Sequence, residues 1–115
     1  MDIKEEKKAN ATVFIIKGRL DSATSPEVEK KIIDSIQHGS NKVVLDFAGL
    51  DYISSAGIRV LVHCHKELEK KEGEIVLANV SKAIENVLYI TGFLPYFKVY
   101  ESQAQALGAL NPSKD

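Results

Sequence analysis

The chain has 115 residues, and 44% of them are hydrophobic, which suits one compact domain with a real core and is too high for a disordered chain. Its 15 basic and 16 acidic residues leave a net charge of -1, so no broad positive field is available to attract nucleic acid or an anionic membrane. The single cysteine excludes an internal disulfide and a cysteine-rich zinc site. Neither a signal peptide pattern nor an apolar run of membrane-spanning length occurs, so we expect a cytoplasmic location.

The start of the chain predicts a β-hairpin. Residues 2–7 form a weak extended stretch, and "KAN" supplies a turn after it. The next segment, "ATVFIIKGRLD", begins with a β-rich run that Gly18 should end. We therefore expect two short antiparallel strands before the first helix.

The segment "DSATSPEVEKKIIDSIQHGS" has the start and stop signals of a helix. Thr24 and Glu27 have the spacing of a capping box, and Pro26 suits the first turn. Gly39 should stop the helix. One apolar stripe at helical spacing is made by Val28, Ile32, Ile33 and Ile36.

The rest of the chain alternates strands with helices. In order, we predict a strand in "NKVVLDF", a helix from Ser55 to about Lys71, a strand in "GEIVLANV", a helix in "SKAIENVLYI" capped by Ser81, a strand in "YFKVY" and a helix in "SQAQALGAL". An opening hairpin followed by this alternation predicts an α/β fold with a mixed sheet and parallel crossovers. We assign residues 1–110 to one domain and residues 111–115 to a flexible C-terminal tail.

The stretch "DYISSAG", residues 51–57, lies after a strand, where functional loops of such sheets collect. A serine hydrolase would place G-x-S-x-G at this junction, but Tyr52 and Ile53 occupy positions that need small residues. The histidines that follow lie roughly two to three turns along the next helix, too far to curl back to its start. Hydrolysis is therefore the enzyme alternative, and the residues do not favour it.

The "HCH" at residues 63–65 suggests a metal site, but helix geometry argues against one. On a helix, His63 and His65 point about 200° apart and cannot share one ion. Cys64 lies on the apolar stripe with Leu61 and Leu68, which indicates a small core residue. No glycine-rich nucleotide motif is present, so no metal and no cofactor are predicted.

Two adjacent hydroxyls, Ser54 and Ser55, lie at the start of the predicted helix. One of them should act as the N-cap by accepting a hydrogen bond from a first-turn amide. The positive end of the helix would also tolerate a phosphate on a serine there, and the phosphate would change the surface without breaking the fold. Ala56 and Gly57 would allow the helix start to approach its neighbours closely.

Three motifs together resemble the STAS domain family, and within it the stand-alone bacterial anti-sigma factor antagonists. They are "KGRLD", "LDFAGLDYISSAGI" and "ITGFLPYF", and the similarity covers about residues 3–110. The resemblance implies a mixed sheet of four or five strands with helices packed mainly on one face. It also implies a binding protein and not an enzyme.

In such a protein the unphosphorylated form would bind an anti-sigma factor that is also a serine kinase of the GHKL type, and so release a sigma factor. The kinase would phosphorylate one serine and disrupt the complex, and a PP2C-type phosphatase would reverse the modification. The family's acceptor lies two residues before the motif glycine, so Gly57 places it at Ser55. Ser54 stands where the best-known members carry Asp, which leaves Ser54 as the second candidate.

The resemblance also indicates a docking face around the acceptor. Asp21 matches a family aspartate implicated in partner or nucleotide contacts, and an exposed Ile58 or Arg59 on the first helical turn would contact the partner. The predicted partner-binding residues are Asp21, Asp51, Ser54, Gly57, Ile58 and Arg59. Two other functions remain open for a chain with this resemblance. One is a partner-switching module that governs secretion, biofilm formation or a cyclase, and the other is a nucleotide-binding domain.

Overall fold

The computed structural model describes residues 1–8 and 10–110, which build one five-stranded sheet with helices on both faces. The strands are β1 (Asp2–Lys7), β2 (Thr12–Leu20), β3 (Lys42–Ile53), β4 (Glu74–Ala78) and β5 (Lys98–Tyr100). The helices are α1 (Ser25–Gln37), α2 (Ser55–Glu69), α3 (Lys82–Ile90) and α4 (Gln103–Leu110), with a short 3-10 turn at Leu94–Tyr96. Ala9 of the predicted hairpin turn and the predicted tail, 111–115, lie outside the described residues.

The strand order confirms the predicted mixed sheet. The strands lie in the order β1-β2-β3-β4-β5, with β1 antiparallel to β2 and every later neighbour pair parallel. The hairpin and the alternation of strands with helices are therefore both as predicted. Because β2, β3 and β4 run in the same direction, their carboxyl ends meet at one edge of the sheet.

Three of the four helices share one face of the sheet, as expected. The larger core cluster joins apolar residues of α1, α2 and α3 to the strands, while α4 packs against a smaller cluster on the opposite face. On the α4 side the carboxylate of Asp46 is buried and accepts hydrogen bonds from Asn79 Nδ2 at 3.0 Å and Gln103 Nε2 at 2.9 Å. These bonds tie α4 to the middle of the sheet. None of the described helices is long and apolar enough to cross a membrane.

The two central strands are longer than the sequence indicates. Gly18 was expected to end β2, but the strand continues to Leu20 through an irregularity in the pairing at Gly18, whose φ is +105°. Strand β3 likewise continues past "VVLDF" to Ile53, because residues 50–53 pair with the end of β2. Glycine adopts this positive φ without a steric penalty, so it bends the strand here and does not terminate it.

The predicted capping box at the start of α1 is wrong. Thr24 occupies the N-cap position, but its hydroxyl donates to the Arg19 carbonyl at 2.7 Å and makes no cap bond. The Asp21 carboxylate shapes the turn by accepting from the amides of Ala23 and Thr24, at 3.0 and 3.2 Å. The other predicted cap is confirmed, since Ser81 Oγ accepts from the Ile84 amide at 3.1 Å.

Candidate functional site

The candidate site lies where β2 and β3 end side by side. Leu20 pairs with Ile53, and the Ser54 amide donates to the Leu20 carbonyl at 2.9 Å. This bond continues the pairing by one step beyond the strands. It places the β2–α1 turn, which begins at Asp21, beside the start of α2, so two of the predicted site segments meet.

Ser54 is the N-cap of α2. Its backbone is extended, with φ -101° and ψ 177°, and its Oγ accepts from the Gly57 amide at 3.4 Å. A bond of that length is at the weak end of the normal range, so it stabilises the helix only modestly. The prediction that one of the two serines caps the helix is confirmed for Ser54.

Ser55 is the first residue of α2, and it is exposed. Within the described parts of the chain, no hydrogen bond joins its hydroxyl to another residue. The first-turn amides of α2 give this end of the helix partial positive charge. The side chain is therefore accessible to a modifying enzyme, and a negative group attached to it would lie at the favourable end of the helix.

Gly57 allows the start of α2 to approach the sheet. A Cβ at this position would lie 2.8 Å from Leu20 Cγ and from Ile53 Cγ1, and 2.9 Å from the Leu20 carbonyl oxygen. The expected close approach is confirmed. The same packing makes the expected exposure of Ile58 wrong: its side chain is 3% exposed and belongs to the core, so Ile58 does not face a partner.

The carboxylate of Asp21 stays ionised to a lower pH than an ordinary aspartate, because its pKa is lowered. Hydrogen bonds to its carboxylate, first from the Thr24 amide and then from the Ala23 amide, lower the pKa of Asp21, and Arg19 adds a smaller electrostatic contribution. The guanidinium Nε of Arg19 lies 3.7 Å from Asp21 Oδ2. The Arg19 guanidinium also lies 4.2 Å from the centre of the exposed Tyr52 ring.

The pairing of Arg19 with Tyr52 was not predicted from the sequence. The two residues stand opposite each other in the parallel register of β2 and β3. That register was not readable from the sequence, because the irregularities in the pairing shift it twice along the strands. A β-rich segment ending in "GRLD" and another ending in "DYI" were the available signals.

Two of the predicted contact residues, Asp51 and Arg59, are exposed. Asp51 lies near the end of β3, and Arg59 lies one turn into α2. Arg59 borders a groove of about 620 Å³ between α1 and α2, whose other lining residues include Ser25, Glu29, Val60, His63 and Lys66. Ser25 is 6% exposed, and its Oγ has no hydrogen-bond partner among the described residues.

The structure separates the two histidines of "HCH". The His63 ring contacts the Glu29 carboxylate across the helices and lies 3.7 Å from Glu67 on its own helix. His65 instead packs against the ring of Phe97, with 5.7 Å between ring centres. Within residues 1–8 and 10–110, no group of three or more His, Cys, Asp or Glu side chains is placed to hold a metal ion. In the same ranges no hydrogen bond joins Ser54 or Ser55 to a histidine.

Fold and site together define an α/β domain that presents an exposed serine at a helix N-terminus, beside the ends of two parallel strands. The family model of the STAS domain matches residues 2–106. The chain therefore belongs to the STAS domain family, as the sequence motifs indicated.

Relatives of known name support this membership. The chain is 34% identical over 109 residues to BtrV of Bordetella bronchiseptica, provisionally named an anti-sigma factor antagonist, covering 95% of this chain and 94% of BtrV. It is 26% identical over 113 residues to the anti-sigma F factor antagonist of Paenibacillus polymyxa, covering 96% and 97% of the two chains.

The fold is also that of SpoIIAA, an anti-sigma factor antagonist of known structure. The TM-score is 0.82 at 22% identity for its unphosphorylated form, with 94% of this chain and 95% of SpoIIAA covered. The TM-score is 0.76 at 21% identity for the phosphorylated form of the Bacillus protein, with 96% and 100% covered. The predicted fold class is thereby confirmed.

Proposed function

We propose that this protein is an anti-sigma factor antagonist switched by phosphorylation of Ser55. In the unphosphorylated form it binds an anti-sigma factor and thereby releases a sigma factor. A phosphate on Ser55 ends the binding. The observation that carries the proposal is the exposed Ser55 hydroxyl on the first turn of α2, within the motif block that the family resemblance singles out.

The different environments of the two serines support Ser55 as the acceptor. Ser54 is half-buried and its Oγ accepts the cap bond, so modifying it would disturb the start of α2. Among the described residues, the Ser55 hydroxyl makes no such cap bond. Phosphorylation there would add about -1.5 to -2 charges to the exposed surface at neutral pH while the core stays packed.

The names of the relatives support an anti-sigma factor as the partner. BtrV and the P. polymyxa protein are named as antagonists of anti-sigma factors, and SpoIIAA is known in unphosphorylated and phosphorylated forms. We propose by analogy that the partner is an anti-sigma factor with serine kinase activity of the GHKL type and that a PP2C-type phosphatase restores the binding form. Asp21 in the turn after β2, Asp51 near the end of β3 and Arg59 one turn into α2 would form the docking face.

The acceptor assignment is tested with the anti-sigma kinase from the same organism. Wild type, Ser54→Ala and Ser55→Ala are incubated with kinase and ATP, and the modified peptide is located by mass spectrometry. We expect phosphate on Ser55 in wild type and in Ser54→Ala, and none in Ser55→Ala. Phosphate on Ser54, or none on either residue, would contradict the assignment.

The switch itself is tested by binding. Ser55→Asp places a negative charge on the surface that would bind the anti-sigma factor. It should weaken that binding at least about tenfold, which corresponds to a loss of about 1.4 kcal/mol. Ser54→Asp is the charge-matched control, since Asp is as good an N-cap as Ser, and this variant should lose clearly less affinity than Ser55→Asp. Equal affinity of Ser55→Asp and wild type, measured by calorimetry, would overturn the switch.

A further inference from the structure

Arg59 is an exposed cation one turn along α2 from Ser55. Within the described residues no carboxylate forms an ion pair with it. The other nearby guanidinium, that of Arg19, is already occupied by Asp21 and the Tyr52 ring. Arg59 is thus the basic side chain near Ser55 that remains available for a new negative charge.

Helix geometry brings Arg59 onto the same side of α2 as Ser55. The two residues are four apart on one helix, so their Cβ atoms are about 5–6 Å from each other. Helical side chains lean toward the N-terminus, which directs a residue at i+4 over the turn that holds residue i. A guanidinium at position 59 can therefore reach a phosphate on Ser55 without any movement of the backbone.

The groove beside Arg59 is lined on its α1 side by two polar residues, Ser25 and Glu29. Ser25, on the α1 side of this groove, has a buried hydroxyl that finds no partner among the described residues. The carboxylate of Glu29, which lines the same groove, is already in contact with the His63 ring. Among the described residues the Glu29 carboxylate therefore pairs with His63 and not with Arg59, which leaves the guanidinium available for a phosphate.

We propose that Arg59, which lines the groove between α1 and α2, binds the phosphate carried by Ser55. This proposal rests on the proposed function, because it needs Ser55 to be modified. A phosphate offers three strong acceptor oxygens, and a guanidinium can donate to two of them at once. The Arg59–phosphate pair is formed within one helix and needs no partner protein.

The ion pair makes the switch act in two ways at once. Before modification the exposed surface of this turn presents the positive charge of Arg59 to a partner. Afterwards the phosphate dominates, and the guanidinium is turned away from the partner toward the phosphate. The summed charge of Arg59 and residue 55 changes from about +1 to about -1, which turns attraction for an acidic partner surface into repulsion.

The test uses protein with phosphoserine incorporated at position 55 during translation, so it needs no kinase. The titration of the phosphate between its two charge states is followed by 31P NMR in wild type, Arg59→Gln and Lys66→Gln. Lys66 lies on the same groove two turns further from the phosphate, which makes Lys66→Gln the control for loss of one positive charge. We expect Arg59→Gln to raise the titration midpoint by about 0.2–0.4 pH units, the equivalent of one helical i,i+4 ion pair. Lys66→Gln should raise it by less than half as much.

Equal midpoints in wild type and Arg59→Gln would overturn the proposal. So would equal shifts in Arg59→Gln and Lys66→Gln, which would mark a general charge effect. The result is independent of the proposed function, because the phosphate is installed without a kinase. A clear Arg59-dependent shift combined with no enzymatic phosphorylation of Ser55 would leave the ion pair standing and remove the switch.

Discussion

Ser54 and Ser55 are neighbours with different structural roles, and this difference can be measured. Ser54→Ala removes the cap bond to Gly57 and should lower the free energy of unfolding by about 0.5–1 kcal/mol, the low end for an N-cap because the bond is long. Ser55→Ala removes an exposed hydroxyl without a bond and should change stability by less than about 0.5 kcal/mol. Urea denaturation of both variants checks the order, and an equal loss in both would contradict it.

The neighbours of Gly57 leave no room for a Cβ at this position, and a second glycine with open space around it allows a matched comparison. Gly57→Ala places a methyl group against Leu20 and Ile53, including a backbone oxygen that cannot rotate away, and should cost about 1–3 kcal/mol. Gly108, inside α4, has open space where a Cβ would lie. Gly108→Ala is the matched control and should stabilise the protein by about 0.5–1 kcal/mol, as Ala does inside a helix. Thermal unfolding of both variants measures the contrast, and a neutral Gly57→Ala would contradict the close approach.

At the scale of elements, the sequence predicted which segments form strands and helices better than where they end. The hairpin, the parallel strands, a cap by one of the two serines at the start of α2 and the cap at Ser81 all follow from local patterns that the structure confirms. The end of β3 does not, because its last residues become a strand only by pairing with β2, which is distant in the chain. Long-range pairing of this kind leaves no periodic signal in a single sequence.

In the candidate site, too, the features set by neighbouring residues were predicted, and those set by residues distant in the chain were not. The close approach at Gly57 follows from the helix start itself and was predicted. The burial of Ile58 depends on how α2 is rotated against the sheet, and here the prediction was wrong. Thr24 was misassigned for a similar reason, since the Arg19 carbonyl that takes its hydroxyl is brought there by the turn at Asp21.

The turn between β2 and α1 should lose stability in acid. Hydrogen bonds from the Thr24 and Ala23 amides lower the pKa of Asp21, so the folded state favours the ionised carboxylate more than the unfolded state does. Its contribution is therefore present above the ordinary pKa of the group and is lost as the pH falls through the lowered folded value. Asp21→Asn keeps an acceptor oxygen and removes only the charge. We expect the stability difference between wild type and Asp21→Asn to shrink in acid, measured by urea denaturation from pH 7 to pH 2. A difference that stays constant over this range would contradict the role of the charge.

At the scale of the whole molecule, the exposed start of α2 and the part of α2 that packs in the core are separate. One side of the helix contributes Leu61, Cys64 and Leu68 to the core, and all three are fully buried. The other side carries Ser55 and Arg59 at the exposed start of the helix. A charge added at Ser55 can therefore alter what the protein binds without loosening the packing that holds α2 on the sheet.

The buried thiol of Cys64 can show whether this packing opens only as a unit. Burial, with smaller contributions from Glu29 and Glu67, raises the pKa of Cys64 to about 12, so the native thiol should not react at pH 8. Reaction with a disulfide reagent then requires that the packing around Cys64 opens and exposes the thiol. If α2 leaves the sheet only on global unfolding, labelling should be slowed at least about a thousandfold relative to the unfolded chain.

The opening free energy obtained from that labelling rate should equal the free energy of unfolding from urea denaturation. A thiol moved to the surface, in Cys64→Ala with Ala83→Cys, is the control and should react at the rate of a free thiol, because position 83 is exposed on α3. The same measurement on protein phosphorylated at Ser55 should give an unchanged or higher opening free energy, since the phosphate sits at the favourable end of the α2 dipole. An opening free energy well below the global value would show that α2 detaches locally. Phosphorylation would then be able to act by loosening the helix and not only by changing the charge of its surface.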